Sequence, residues 1–229
     1  MSFDWTEDRI RLFRDAAKKS GYYRILAERI HAVLPGAERI CDAGCGLGDL
    51  ALALAEFYPD VTAADSSPAA IRTLKSRLVP GVHAIEADLR EYVPEKPFDA
   101  MVFCYFGGME EILSIARRCC RGTVFIVKRN YSRHRFSLSD LPDRTHNADT
   151  ASDFLRQQGL PFVREDMALE FGQPFRSLAD AKLFFEIYGS CAEGSEVYAE
   201  KLICTEDEEF PYYFPQAKPV SLFWFKISS

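Results

Sequence analysis

The chain has 229 residues, 48% of them hydrophobic and 27% charged, with a formal net charge of −6. That composition supports a packed core rather than a disordered chain, and the acidic balance, with no basic cluster beyond Lys128, Arg129, Arg133 and Arg135, argues against a nucleic-acid partner. No apolar run approaches the roughly 18 residues a membrane-spanning helix needs, and the acidic opening Met1-Ser2-Phe3-Asp4-Trp5-Thr6-Glu7-Asp8 does not read as a secretory signal, so a cytoplasmic protein with no membrane partner is expected.

Ile10, Phe13, Ala16 and Ala17 recur at helical spacing and predict a helix over 5–19, stopped by Gly21. A second helix is expected over 22–34, before Pro35-Gly36. Strand and helix then alternate, with strands expected at 39–43, 60–65, 82–87, 98–105 and 122–127 and helices at 49–58, 68–78 and 108–119. This rhythm marks a parallel sheet with helices on both faces, joined by right-handed crossovers. After Lys128 the rhythm breaks. Residues 130–149 read as a polar loop, followed by a helix with Asp149 or Thr150 as N-cap and Gly159 past its end. A strand over 162–171, helices over 177–188 and 196–204, and an aromatic strand over 219–227 complete the chain, with Glu206-Asp207-Glu208-Glu209 as a solvated loop. The seven cysteines include no C-x-x-C pair and the four histidines are scattered, so reduced thiols and no metal site are expected.

The chemistry concentrates at Asp42-Ala43-Gly44-Cys45-Gly46-Leu47-Gly48, between the first strand of the alternating series and the next helix. Glycines there let the backbone turn sharply and approach a ligand, at the strand ends where open α/β sheets bind ligands. A dinucleotide fingerprint requires its third glycine one residue later than Gly48, and Asp49 would crowd a pyrophosphate at the helix N-terminus. Asp42, ahead of the glycines, instead suits an ammonium, which S-adenosylmethionine carries and NAD lacks. Asp65 ends the second of these strands, where a carboxylate can accept both ribose hydroxyls, with Ser66 beside it. Asp88 ends the third, placed for an adenine amino group, with the Leu89 backbone facing the ring. Cys104 and Tyr105 end the fourth, near the expected sulfonium.

The runs Ile40–Gly48, Ala64-Asp65-Ser66-Ser67-Pro68, Ala87-Asp88-Leu89 and Phe98-Asp99-Ala100-Met101-Val102, in this order and spacing over about 36–130, resemble the class I S-adenosylmethionine-dependent methyltransferases. The resemblance implies a doubly wound, mostly parallel seven-stranded sheet whose last strand is antiparallel, with the final hairpin at about 162–171 and 219–227. One domain is expected, with its core at 36–130 and 160–229. Helices over 4–34 and insertions at about 131–158 and 172–215 would form a helical substrate cap. The cofactor set is then Asp42, Gly44, Cys45, Gly46, Gly48, Asp65, Ser66, Asp88, Leu89, Cys104 and Tyr105, with S-adenosylhomocysteine as product.

Cys104-Tyr105-Phe106-Gly107 departs from the Asn/Asp-Pro-Pro-Tyr/Phe of many amino methyltransferases acting on bases or glutamine and argues against such substrates, while the acidic balance and the expected cap point to a small-molecule acceptor with an oxygen or nitrogen nucleophile. Tyr22, Tyr23, Phe175 and Tyr188 are the candidate substrate contacts, with core packing as the competing reading. Tyr105, His134, His146 and Lys128 are candidate bases, needed only if the nucleophile must lose a proton. Cys45 is expected to be a packed residue rather than a nucleophile. An aminopropyl or aminocarboxypropyl transferase on the same scaffold, or a non-catalytic S-adenosylmethionine sensor, would share the same cofactor residues.

Overall fold

A computed structural model describes residues 4–77, 79–130, 147–188 and 200–227. Helix α1 (Glu7–Ser20) starts where the Thr6 side chain accepts from the Arg9 N–H, carries acid in its first turn and Lys18 and Lys19 in its last, and ends at Gly21 with φ 63°. Helix α2 (Tyr22–Val33) follows at once. The alternating series is β1 (Arg39–Ala43), α3 (Asp49–Leu54), β2 (Asp60–Asp65), α4 (Pro68–Lys75), β3 (Val82–Glu86), β4 (Phe98–Cys104), α5 (Met109–Cys119) and β5 (Cys120–Arg129). Helices α3 and α4 stop short of the expected 58 and 78, leaving turns before Pro59 and Pro80.

After β5 come α6 (Ala148–Gln157), β6 (Val163–Glu170), β7 (Gln173–Phe175), α7 (Leu178–Tyr188), β8 (Ile203–Cys204), β9 (Tyr212–Phe214) and β10 (Ala217–Lys226). The main sheet has seven strands in the order β3-β2-β1-β4-β5-β10-β6. Strands β1 to β5 run parallel, and β10 runs antiparallel to both β5 and β6. The resemblance implied this sheet, including its antiparallel last strand and closing hairpin.

Alternate residues of each central strand feed opposite faces, as a two-residue period requires. Ile40, Val102 and Phe125 pack with Leu26, Ile30 and Leu54 of α2 and α3. Cys41, Met101, Phe103 and Ile126 pack with Leu113 and Ala116 of α5 and Leu155 of α6. Helix α6 therefore covers the sheet, so the described part of the 131–158 insertion is a layer helix and not a cap. Its N-cap is Asn147, in a capping box with Thr150, two residues before Asp149 and three before Thr150, the caps expected.

The region between β6 and β10 is not wholly helical. A three-stranded sheet, β7-β9-β8, stands with α7 there, and the described end of the expected 196–204 helix is a turn leading into β8. Phe175, Phe184, Phe185 and Phe214 form its apolar centre together with Leu12 of α1. The small sheet is fastened to α1. Gln173 Nε2 donates to the Leu12 carbonyl at 3.0 Å, Arg11 pairs with Asp180 at 2.7 Å, and the Arg176 guanidinium clasps the buried Asp15 carboxylate. The acidic loop joins in, through Asp207 to Lys19 at 2.6 Å and Glu209 to Lys18 at 3.0 Å. These last pairs are exposed and screened by solvent, so their effect here is chiefly orientation. Among the described residues, no helix is long and apolar enough to cross a membrane, and no cluster of three metal-ligating side chains occurs.

Candidate cofactor and acceptor site

Trp5, Phe13 and Tyr23 from the N-terminal segment, the loops after β1, β2, β3 and β4, and Phe184, Tyr188 and Lys218 enclose a cavity of about 610 Å³. That volume lies within the usual range for small-molecule sites. Asp42, Gly44, Cys45, Gly46, Asp65, Ser66, Asp88, Leu89, Cys104 and Tyr105 all line it. A larger, shallower depression of about 1170 Å³ follows the outer side of α1 and α3 and touches none of these residues.

The loop after β1 is built around left-handed backbone. Gly44 has φ 73°, and its N–H and that of Cys45 donate to the Ala64 carbonyl at 2.8 and 3.0 Å, tying the loop to β2. A Cβ at Gly44 would run into the Phe106 ring, and one at Gly48, φ 81°, into the Leu74 side chain. Gly48 is thus a fold contact on the α4 side and does not line the cavity, which corrects its place among the cofactor residues. Asp49, at the start of α3, turns away from the cavity. Its Oδ1 accepts from Arg77 at 2.6 Å while the same guanidinium donates to the Leu47 carbonyl at 3.2 Å. The helix end that would receive a pyrophosphate is thus already occupied by a carboxylate.

Asp65 braces the two cofactor loops together. Its Oδ2 accepts from the Gly46 N–H and its Oδ1 from the Ser67 N–H, both at 2.8 Å. Each oxygen keeps a second acceptor position toward the cavity. Asp42 is 1% exposed, and neither carboxylate oxygen meets a partner at full hydrogen-bond geometry among the described residues. Burial, then the neighbouring Asp65 charge, pushes its pKa from 3.8 up to about 7, with the Ala51 N–H acting in the opposite direction. A buried carboxylate without a partner is costly, and a ligand ammonium would supply the missing donor. The residues therefore fit the methionine end of S-adenosylmethionine.

Asp88, just past the end of β3, is engaged. Arg90 grips it through Nε to Oδ1 at 2.9 Å and Nη2 to Oδ2 at 2.6 Å, holding the carboxyl down to about 2. Arg90 lines the cavity too and was not picked out from sequence, although an i, i+2 Asp–Arg pair at a strand end is a signal for such a clasp. Leu89 is 4% exposed, and its carbonyl accepts from Arg118 at 2.6 Å.

Tyr105 has φ 57°, the sole left-handed non-glycine among the described residues, and its hydroxyl lies 2.5 Å from that of Tyr22. Strain of this kind costs of order 1–3 kcal/mol and persists where surrounding structure enforces it. Lys128 provides part of that enforcement, with Nζ donating to the Phe106 and Gly107 carbonyls, both at 2.8 Å. Burial, then the Arg129 charge, brings its pKa down to about 8. Lys128 does not line the cavity, so it is a brace for the loop and not a base. Lys128→Met should orphan both carbonyls and cost about 1–3 kcal/mol of stability, visible as a lower thermal midpoint together with weaker cofactor binding. A variant with unchanged midpoint and affinity would remove this bracing role.

Cys104 lines the cavity, but burial, then the Asp42 charge, pushes its thiol up to about 12. Cys45 is raised further by the same two causes, so neither supplies a thiolate, as expected of Cys45 from sequence. Of the candidate substrate contacts, Tyr23 and Tyr188 line the cavity. Phe175 does not, being fully buried against Phe184 and Phe185. Tyr22 is also fully buried and does not line the cavity, standing behind it with its hydroxyl on that of Tyr105 and its ring against Tyr23 and Phe171. His134 and His146 lie outside the described residues. Phe13, Gln173 and Lys218 are lining residues that sequence reasoning missed, because tertiary folding alone brings them to the strand ends.

A family profile described as a methyltransferase domain matches residues 40–123, the segment holding β1 through most of the β5 entry. Over 100 residues the chain is 33% identical to a trans-aconitate 2-methyltransferase of Rhodococcus jostii (strain RHA1), a match covering 43% of this chain and 37% of that relative's length. The fold is shared with the N-methyltransferase NodS from Bradyrhizobium japonicum WM9, solved with S-adenosyl-L-homocysteine, at TM-score 0.55 and 14% identity over 98% of this chain and 94% of that one. It is also shared with the YcgJ protein from Bacillus subtilis, at TM-score 0.56 and 13% identity over 91% and 99% of the two chains. Residues 40–123 thus match a methyltransferase domain, and the seven-stranded sheet with its antiparallel closing strand is the fold shared with these structures.

Proposed function

We propose that this chain transfers a methyl group from S-adenosylmethionine to a small-molecule acceptor bound in the same cavity. The observation that carries the reading is Asp42, a buried carboxylate without a partner at full hydrogen-bond geometry, beside the glycine loop. When bound, the cofactor supplies an electrophilic methyl on a sulfonium whose departure as a neutral thioether needs no acid. Asp42 would receive the ammonium, Asp65 the ribose hydroxyls, and the Leu89 face and the Asp88–Arg90 clasp the adenine end. Tyr105, pinned by Tyr22 and by the Lys128-braced loop, forms the wall between cofactor and acceptor. Trp5, beside Gly46 of the glycine loop, and Phe13, Phe171, Phe184 and Tyr188 give the cavity its apolar lining. What the protein contributes is proximity and orientation, which can supply about 7–11 kcal/mol of the barrier.

The cavity, of about 610 Å³ with residues of α1 and α7 in its lining, has the volume of a small-molecule site. The Rhodococcus relative, named for trans-aconitate, supports the same acceptor size. Incubation with S-adenosylmethionine and a pool of small metabolites should release S-adenosylhomocysteine only when an acceptor is present. Tight cofactor binding with no turnover across a broad pool would instead establish a sensor.

A further inference from the structure

The loop after β3 and the first turn of α5 each bring a carboxylate to the cavity, Asp88 and Glu111, and the two stand in opposite states. Asp88 is filled. Its Oδ1 accepts from the Arg90 backbone N–H at 3.0 Å and from Arg90 Nε at 2.9 Å, and its Oδ2 from Nε at 3.2 Å and Nη2 at 2.6 Å. A carboxylate offers about four acceptor positions in all, so these contacts, with Nε shared between the two oxygens, leave Asp88 little to give a ligand. Among the described residues, none donates a hydrogen bond to Glu111. Packing fixes its place. A Cβ at Gly107 would run into the Glu111 carboxylate, which therefore rests on bare backbone at the exit of β4. Helix α5 is tied to the β3 exit loop through Arg118, which donates to the Leu89 carbonyl at 2.6 Å and to the Tyr92 carbonyl at 3.1 Å. Glu111 precedes Arg118 by about two helical turns, so both lie on the same face of α5. Because α5 connects the parallel strands β4 and β5, its first turn starts at their carboxyl edge, and Glu111 stands on the Leu89 side of that edge, in the cavity lining.

Resting on the methyltransferase reading, we propose that Glu111, and not Asp88, accepts the 6-amino group of the cofactor's adenine, while Asp88 and Arg90 hold the shape of the loop that carries Leu89. An adenine lying against Leu89 with its amino edge toward α5 presents an N–H donor to an acceptor that no described protein group fills. A hydrogen bond to a carboxylate is charge-assisted and stronger than one between neutral groups. The same carboxylate would face the lone pairs of an oxygen in a 6-oxopurine, so it also selects against hypoxanthine and guanine at this position. An acid in the first turn of a helix has a second use, since it complements the helix dipole. Glu110 shares that use but does not line the cavity, so the neighbouring residue separates the two roles.

The probes are S-adenosylhomocysteine and its 6-deamino analogue, in which hydrogen replaces the adenine amino group. Calorimetry measures both against wild-type protein, Glu111→Ala, Glu111→Gln, Asp88→Ala and Glu110→Ala. The wild type should bind S-adenosylhomocysteine about 10- to 100-fold more tightly than the deamino analogue, the worth of one hydrogen bond to a charged acceptor. Glu111→Ala should weaken S-adenosylhomocysteine alone and bring the two affinities within about threefold of each other. Glu111→Gln keeps an acceptor oxygen and should fall between. Glu110→Ala and Asp88→Ala should retain the wild-type ratio, because a change in the helix end or the loop acts on both ligands alike. A wild type that does not distinguish the two ligands, a ratio kept in full by Glu111→Ala, or a ratio lost in Asp88→Ala would overturn the proposal while leaving the cofactor reading intact. A folded wild-type protein that binds neither ligand would remove the cofactor reading itself, and the proposal with it.

Discussion

Asp42→Asn is expected to stabilise the ligand-free protein at pH 8 and, at the same pH, to weaken cofactor binding about 100-fold. Both effects come from one buried carboxylate. Its pKa in the folded protein, about 7, lies above the ordinary 3.8, so between those values the folded state holds a proton that the unfolded chain has released. Stability therefore falls as pH rises through this window and carries the full cost above about 7. The displacement corresponds to a cost on the order of 4 kcal/mol. Asn removes the charge, so the variant should melt several degrees higher at pH 8, with the gap closing toward pH 4. The cofactor's ammonium would offset that cost in the wild type. Losing a charge-assisted pair removes roughly 2–3 kcal/mol of binding. Wild-type affinity should rise with pH from 5 to 7.5 as Asp42 gives up its proton, and the variant should lack that dependence. Thermal melts and titration calorimetry across this range check both. A variant that binds as tightly as wild type would break the assignment of Asp42 to the ammonium.

Asp65→Ala should damage the site more than loss of a ribose contact alone. The carboxylate holds the Gly46 and Ser67 N–H groups at 2.8 Å each, so the truncation frees the glycine loop and the entry to α4 together. Cofactor binding should fall by roughly 1–3 kcal/mol for the ribose hydrogen bonds, with a lower thermal midpoint from the two unpaired amides. Asp65→Asn keeps one acceptor oxygen and should fall between wild type and Ala in both measurements. Unchanged calorimetric affinity in Asp65→Ala would sink the ribose role. Unchanged stability with lost affinity would mean that the bracing bonds matter little.

The main sheet was legible because its strands are short apolar runs that end in acid or glycine, and that pattern fixes both the period and the ligand edge. Asp42, Asp65 and Asp88 each stand at or just past the end of a strand, so their position at the cavity edge could be placed without coordinates. The small sheet was not legible. Its strands, Gln173–Phe175, Ile203–Cys204 and Tyr212–Phe214, are two or three residues long, too short to show a period of two. Aromatic content likewise failed to separate Phe175, which faces the centre of that small sheet, from Tyr188, which faces the cavity. Lys218 was missed because the three rings around it come together only on folding, whereas Arg90 was overlooked although its partner Asp88 stands only two residues away.

Titration calorimetry of the wild-type protein with S-adenosylhomocysteine, and in parallel with NAD, tests the cofactor assignment most directly. One molecule of S-adenosylhomocysteine should bind per chain, more tightly at pH 7.5 than at pH 5, while NAD, whose pyrophosphate would meet Asp49 and the Arg77 pair at the α3 end, should not bind. Binding of NAD in preference, or a folded protein that takes up no S-adenosylhomocysteine, would contradict it.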